Sequence, residues 1–423
     1  MTNALKTAAF LLPRPDIDLA KWSVIACDQF TAQPEYWRAV EAVVGDAPSS
    51  LRVTLPEAWL DESAVRIPTI RATMDAYLRT GVWQTAVRDG FILTERTTSS
   101  GVRPGLMVCL DLDQYDFNPG ARTLIRPTEG TVISRVPPRA RIRAGAPVEL
   151  PHVMMLIDDP GMTVIEPLRA RAETLRALYD FELMQGGGHL RGWAVEGADV
   201  GRVNAAVDAL NAKADGLLYA VGDGNHSLAA AKQCWLDLQK TLSPAKRENH
   251  PARYALVELI NLNCPALIFE PIHRLLTGVD PAALIADYRA FLKANGADEG
   301  PGDDLVAFDM TRQWHIRSTP HPLRLLQGFL DVYLDDHPGA RIDYIHGESA
   351  LRKLVNRPDA MGFIPRALGK SELFPYIRRW GVLPRKTFSM GGASEKRYYL
   401  EARRIDVAPN AAFPVAQPTI HVV

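Results

Sequence analysis

Leu217-Leu-Tyr-Ala-Val-Gly-Asp-Gly-Asn-His-Ser-Leu-Ala-Ala-Ala-Lys232 is the stretch whose residue types and spacing could do chemistry. An apolar strand ends in a Gly-Asp-Gly-Asn-His-Ser turn, and the turn opens an Ala-rich helix. Gly222 and Gly224 allow positive φ or close backbone approach. Asn225, His226 and Ser227 then stand at a helix N-terminus, where unpaired N–H groups and the macrodipole favour an anion such as phosphate. His226 adds a donor, neutral or charged. The same turn also reads as simple capping by Asp223 or Asn225, with His226 filling space. Neither Gly-x4-Gly-Lys-Ser/Thr nor Gly-x-Gly-x-x-Gly occurs here, which excludes a Walker A loop and a Rossmann fingerprint at this turn.

Upstream, Arg122, Arg126, Arg135, Arg139, Arg141 and Arg143 crowd one window in which Glu129 is the only acid. That density suits several phosphates, and it equally suits a solvated basic loop. Within it Glu129 is a candidate general base for an attacking hydroxyl, or else an ion-pair partner. His273 and Arg274, after the strand-like Ala266–Phe269, could bring a second imidazole and a guanidinium to the same cleft as binding groups; a helix-start His beside a surface Arg is the plainer reading. Gly186-Gly-Gly-His189 reads as a lid, an anion nest or an ordinary loop. The histidines are scattered and no zinc-type or EF-hand spacing appears, so Asp223 and His226 read as a capping turn before they read as metal ligands.

These residues must be positioned by a mixed α/β fold. Short apolar runs at Ala8–Leu12, Leu106–Leu110, Val153–Ile157, Leu217–Val221 and Tyr254–Leu262 read as strands bounded by Gly, Pro and Asp. Helical periodicity marks Glu35–Val44, Leu228–Leu238, Pro281–Ala294 and, with the longest apolar stripe, Val164–Met184. The turns Asn118-Pro-Gly120 and Thr277–Pro281 place domain breaks near 120 and 278, giving α/β segments 1–120, 121–278 and 279–423. The middle segment holds the distinctive motif.

The Asp-Gly-Asn-His-Ser turn resembles the Asp-Gly-His-His-Arg signature of domain-of-unknown-function family 1015, which is similar in turn to the nucleotide-binding turn of the ParB/sulfiredoxin superfamily. Ile125-Arg-Pro-Thr-Glu-Gly130, Pro271-Ile-His-Arg-Leu-Leu276 and Leu383-Pro-Arg-Lys-Thr-Phe-Ser389 resemble three further segments of that family, in order. Ser227 stands where many relatives carry Arg, and Thr128 where many carry His, so one bidentate phosphate contact and one acid/base group are missing. Asn225 occupies the position of the sulfiredoxin Cys, which argues against sulfur-rescue chemistry. The resemblance implies a central ParB/sulfiredoxin-like module and a nucleotide-dependent phosphotransferase that acts on the hydroxyl of a serine-like amino acid or hydroxy acid. In that reading ATP or ADP with Mg²⁺ is the donor, and Glu129 and His226 are catalytic. Arg126, Asp223, Gly224, Asn225, Ser227, Arg139, His273, Arg274 and Lys386 bind the nucleotide, and Asp28 holds the metal or a substrate amine, or simply starts a turn. The alternative is a ParB-like nucleotide-binding switch that modifies no metabolite.

Composition narrows the partners. Lys plus Arg number 48 against 49 Asp plus Glu, a net charge of −1, so no overall positive field draws in nucleic acid or an anionic membrane. The acids Asp280, Asp287, Asp298, Glu299, Asp303 and Asp304 also disfavour phosphate-backbone contact. The four cysteines are widely spaced and read as reduced thiols, no Gly-x-Ser-x-Gly elbow supports a serine hydrolase, and no apolar run of membrane-spanning length or signal peptide is evident, so the expected location is the cytoplasm.

Overall fold

The computed structural model describes residues 2–297, 301–319 and 321–407. They fall into two compact units, one drawn from 1–267 and 391–423 and the other from 268–390. Residue 120 lies in a turn inside the first unit. Both units mix helices with sheets. Among the described residues no helix is long and apolar enough to cross a membrane.

The first unit is built on a ten-stranded sheet. Its principal strands are β1 (Ala8–Pro13), β2 (Trp83–Thr98), β3 (Gly101–Asp111), β4 (Ile125–Pro127), β5 (Met154–Ile157), β6 (Arg176–Leu183), β7 (Gly188–Val195), β8 (Tyr219–Asp223) and β9 (Tyr254–Asn261). The order across the sheet is β4-β8-β5-β9-β3-β2-β7-β6, with β1 beside β2. β8 is parallel to β4 and β9 to β5, and the other pairs in that order are antiparallel. The sheet is covered on both faces. Met107 and Cys109 of β3 enter one apolar core with Trp22, Trp37 and Trp83, whereas Leu106, Val108 and Leu110 enter another with Leu228 and Trp235. Successive side chains point to opposite faces, so a strand buried on both reads as a continuous apolar run.

Helix α1 (Ser63–Arg79) contributes Met74 to the first core, and α3 (Ala198–Asn211) lays Val203 and Val207 into the second. Helix α2 (Val136–Arg143) packs Val136 against Ala229 and Ala230 of α4 (Asn225–Gln239). The small alanines allow that close approach.

The stripe at Val164–Met184 is not one helix. The chain makes one short helical turn at Glu166–Arg169, a 3-10 turn at Ala172–Thr174 and then β6. In β6 the residues Tyr179, Phe181 and Leu183 alternate with the exposed acids Asp180 and Glu182, and Phe181 lies across from Leu190 of β7. The same apolar residues satisfy both periods, and pairing with β7 decides between them. Gly186-Gly-Gly-His189 is the turn of this hairpin, with Gly186 and Gly188 at positive φ.

The second unit carries β10 (Phe269–Thr277), β11 (Leu305–Phe308), β12 (Gln313–Ile316), β13 (Arg341–His346), β14 (Ala360–Pro365) and β15 (Phe388–Met390), ordered β12-β11-β14-β10-β13 with β15 on β10. Helices α5 (Pro281–Ala294) and α6 (Pro322–Asp336) pack on it through Leu284, Tyr288, Leu326 and Phe329.

Candidate functional site

Three strand ends meet at one edge of the first unit's sheet. Val221 is level with Pro127 in the parallel pair β4/β8, so Thr128-Glu129 and Asp223-Gly224 leave the sheet on the same side. Antiparallel β5 has Met154 opposite Asp223, so His152 and Val153 enter it there. Crevices beyond the carboxyl ends of parallel strands are where α/β sheets hold ligands. Thr128 donates its hydroxyl to the Val221 carbonyl at 2.7 Å, tying the two strand ends together.

Gly224 turns the chain from β8 into α4. Its φ is 82°, and a Cβ there would meet the Val153 Cα at 3.0 Å. Only glycine fits both conditions. No side chain caps α4, so the N–H groups of its first turn are presented without a capping oxygen. His226, in that first turn, accepts the Val132 N–H through Nε2 at 3.2 Å and ties α4 to the loop after Glu129.

Two distant segments complete the edge. Residues 24–26 pair with 397–399: Tyr399 N–H donates to the Val24 carbonyl at 2.9 Å, and Ala26 N–H to the Arg397 carbonyl at 2.8 Å. This brings Asp28 beside Lys396 and Tyr399. The buried Arg96 guanidinium fixes the approach by donating to the Gly187 carbonyl at 2.7 Å, to that of Ser394 at 2.5 Å and to that of Lys396, while Arg103 holds the Glu395 carbonyl at 3.0 Å.

His152 lies at the centre of the resulting cluster. Its Nε2 is 2.9 Å from Ser227 Oγ and 3.7 Å from Asp28 Oδ2, and its Nδ1 is 2.8 Å from the Tyr399 hydroxyl. The Cys27 N–H donates to that hydroxyl at 3.1 Å, and Gln29 donates to Asp28 Oδ1 at 3.0 Å. Lys396 Nζ stands 3.8 Å from Asp223 Oδ1, whereas Asp223 Oδ2 and Asn225 Oδ1 are buried without a hydrogen-bond partner.

The two carboxylates are driven in opposite directions. Burial raises Asp223 above the usual carboxylate range, and the nearby negative charge of Asp28 adds to this, more than Lys396 and His152 offset. Burial acts upward on Asp28 as well, but His152, Gln29, Lys396 and Arg139 together bring it below that range. The two acids are thus driven apart, the pattern expected where two carboxyl groups share a site. The Cys27 thiol is pushed up to about 12 by burial and by Asp28, which leaves it a poor nucleophile.

Asp28, Glu129, Asp223, Gly224, Asn225, His226 and Ser227 thus belong to this one edge. Of the upstream arginines, Arg139 stays near Asp28, whereas Arg126 turns away. Arg126 donates to the Thr123 and Gly216 carbonyls at 3.1 and 2.9 Å, at the opposite end of β8. Arg139 pairs with Glu57, and Arg143 with Glu149. His273, Arg274 and Lys386 belong to the second unit. There His273 and Arg274 are buried on β10, and the Arg274 guanidinium donates to the Ile272 carbonyl at 2.5 Å and to that of Arg385 at 3.1 Å. Among the described residues no group of three or more His, Cys, Asp or Glu side chains is arranged to hold a metal ion.

Sequence reasoning missed His152, Tyr399, Lys396 and Glu57. A histidine directly before the apolar run Val153–Ile157 was the one available signal, since residues at strand entries line sheet edges. For Lys396 and Tyr399 no spacing relates them to a turn more than 160 residues earlier.

A family model described as "Protein of unknown function (DUF1015)" matches residues 9–353. No curated protein matches the chain. Solved structures similar to it include a free serine kinase variant in complex with AMP, at 13% identity and a TM-score of 0.39, covering 71% of this chain and 92% of that one. The same kinase with ADP aligns at 13% identity and a TM-score of 0.38, with coverage of 71% and 92%. A conserved hypothetical protein from Pyrococcus furiosus aligns at 13% identity and a TM-score of 0.35, covering 71% and 94%.

Proposed function

The chain belongs to the DUF1015 family of proteins of unknown function, and from the chemistry of its site we propose that it transfers a phosphoryl group from ATP or ADP to the hydroxyl of a small metabolite, a serine-like amino acid or hydroxy acid, within a ParB/sulfiredoxin-like module. The observation that carries this reading is Asp223: a buried carboxylate with one partnerless oxygen, faced by Lys396 and set directly before the uncapped N-terminus of α4. Helix N–H groups and an ammonium favour a phosphate, and a carboxylate of raised pKa suits proton removal.

In this mechanism the acceptor oxygen forms a bond to the terminal phosphorus while the bond from phosphorus to the bridging oxygen breaks. The shortened nucleotide leaves with that electron pair, and the acceptor's proton passes to Asp223. The backbone of Gly224–Ser227 and Lys396 hold the phosphates, His226 steadies the transferred group, and Glu129 orients the acceptor. Mg²⁺, when bound, supplies charge neutralisation at the phosphates. Asp28, ionised and partly accessible, suits that ion, because Mg²⁺ takes one or two carboxylates and completes its shell with phosphate and water.

Phosphorus NMR with Mg²⁺, ATP or ADP and a pool of amino acids and hydroxy acids tests the reading. A new phosphomonoester signal that requires Asp223 supports it. Inorganic phosphate alone favours a nucleotide switch, and unchanged nucleotide overturns transfer. His226→Ala is expected to weaken nucleotide binding by about tenfold, the scale of one hydrogen bond to a charged group, with the fold intact. Glu129→Gln is expected to keep nucleotide affinity and slow transfer; full turnover would remove Glu129 from the site.

The pH dependence has a definite sign. Transfer requires Asp223 without its proton, so the rate rises with pH through a pKa above the ordinary 3.8. Lys396 opposes that rise, so Lys396→Met is expected to move the acid limb of the kcat/KM profile to higher pH. An unmoved or acid-shifted limb would separate Lys396 from Asp223.

A further inference from the structure

Behind the His152–Ser227 pair the first unit holds a cavity of about 140 Å³ that the phosphoryl-transfer chemistry does not use. Its walls are mostly apolar, with Val53, Met74 of α1, Ile142 of α2 and Leu228 of α4 among them, and the charged side chains in the lining are ion-paired, Arg139 with Glu57 and Arg143 with Glu149. Its polar end carries Ser227 and Tyr399, both hydrogen-bonded to His152, which in turn faces Asp28. Water needs two to four polar partners, so it is poorly held along the apolar walls, away from the polar end. An engineered apolar cavity of about 150 Å³ takes benzene, which sets the size of hydrocarbon group that such a space accepts.

We propose that this cavity binds the hydrocarbon part of the acceptor, an aliphatic or aromatic group of about six carbons. The acceptor is then an alcohol or hydroxy acid whose hydroxyl lies at the His152–Ser227 end and whose tail fills the space between α1, α2 and α4. A serine-sized acceptor, with no such tail, leaves the cavity empty. The role as acceptor pocket rests on the phosphotransferase reading; the binding of an apolar group does not.

The geometry explains why recognition would run through tail length. Along the apolar walls the tail meets dispersion and desolvation, so each methylene buried there adds about 0.8 kcal/mol, close to a fourfold gain in affinity. The gain stops when the cavity is full. His152, hydrogen-bonded on both ring nitrogens, is a fixed boundary to the polar end.

The test uses the full chain labelled with ¹³C at its methionine methyl groups, with Met74 assigned through Met74→Leu. The primary n-alkanols from ethanol to octanol are titrated as probes. Saturable shifts of the Met74 methyl, tightening about fourfold per methylene up to about six carbons and then levelling, are the expected result. Val53→Phe and Ala146→Leu, which fill the cavity from two sides, are expected to abolish the shifts while ATP·Mg²⁺ affinity is retained. If either variant fails to fold, the chain-length series on the wild type still decides. Absence of a saturable Met74 shift, or affinity that does not grow with chain length, overturns the pocket.

Phosphorus NMR with ATP and hexanol, beside ATP and serine, separates the two claims. Phosphorylation of hexanol ahead of serine supports both. Phosphorylation of serine with no alcohol binding overturns the pocket and leaves the phosphotransferase intact. Alcohol binding at Met74 with no transfer to any acceptor overturns the phosphotransferase and the acceptor role, and leaves an apolar ligand site.

Discussion

Asp223→Asn is expected to lower the rate of phosphoryl transfer by about 10²- to 10⁴-fold, the range a positioned general base contributes. The substitution keeps the shape of the side chain and the backbone before Gly224, so nucleotide affinity is expected to change little. Isothermal titration with nucleotide, beside single-turnover transfer, checks both halves. Loss of binding together with rate would make Asp223 a structural cap rather than a base.

Stability provides an internal control for the same variant. Burial raises the Asp223 pKa above its unfolded value, so the folded state holds the proton more tightly. The stability this contributes is fully present below the unfolded pKa and is lost as pH rises through the folded pKa. The Asn variant does not titrate. Its melting temperature relative to the wild type is therefore expected to increase from acid to neutral pH, and an unfolded variant is not the explanation for a lost rate. The opposite slope would mean that Asp223 is stabilised as the anion.

Arg397→Met is expected to cost about 3–5 kcal/mol of stability, the usual consequence of removing one partner from a buried ionic cluster. Arg397 is 2% exposed and lies among Glu258 at 3.6 Å, Glu401 and the Met107 sulfur. Burial alone would raise Glu258, and Arg397 is the largest of the charges that hold it below the usual range. With Arg397 gone, two buried carboxylates lose that charge. Adding Glu401→Leu should recover much of the loss, because one of the stranded charges is then removed too. Denaturant unfolding of the three proteins measures this, and a loss under about 1 kcal/mol would show that Arg96 and Arg103 suffice. Arg397 also belongs to the segment that carries Lys396 and Tyr399, so its loss should slow transfer as well.

Much of the fold is legible in the chain. The apolar runs Leu106–Leu110, Val153–Ile157 and Leu217–Val221 all fall in or overlap strands, and Pro281–Ala294 is a helix over that same span. The helix expected at Leu228–Leu238 begins three residues earlier, at Asn225, because Gly224 supplies the left-handed turn that starts it. Val164–Met184 was illegible for a specific reason. Its apolar residues match a helical stripe, and the cross-strand partner in β7 that selects the extended form is a neighbour in space, known only once the hairpin is made.

The site divides in the same way. The strand, turn and helix at 217–239 are determined locally: apolar residues for a doubly buried strand, glycine at positive φ and alanines in a close-packed helix. In the sequence, Glu129 is tied to that turn only through the arginine-rich window and the family resemblance, and its place beside Asp223 follows from the parallel register of β4 and β8. His152, Asp28, Lys396 and Tyr399 are different. Their meeting depends on pairing residues 24–26 with 397–399 and on Arg96 holding carbonyls some 300 positions away. No local preference encodes such contacts. They exist because folding leaves backbone groups and guanidinium donors that must find partners once buried. The sequence by itself determined the glycine turn between β8 and α4, whereas the tertiary structure alone decided which acids, imidazole and ammonium face it.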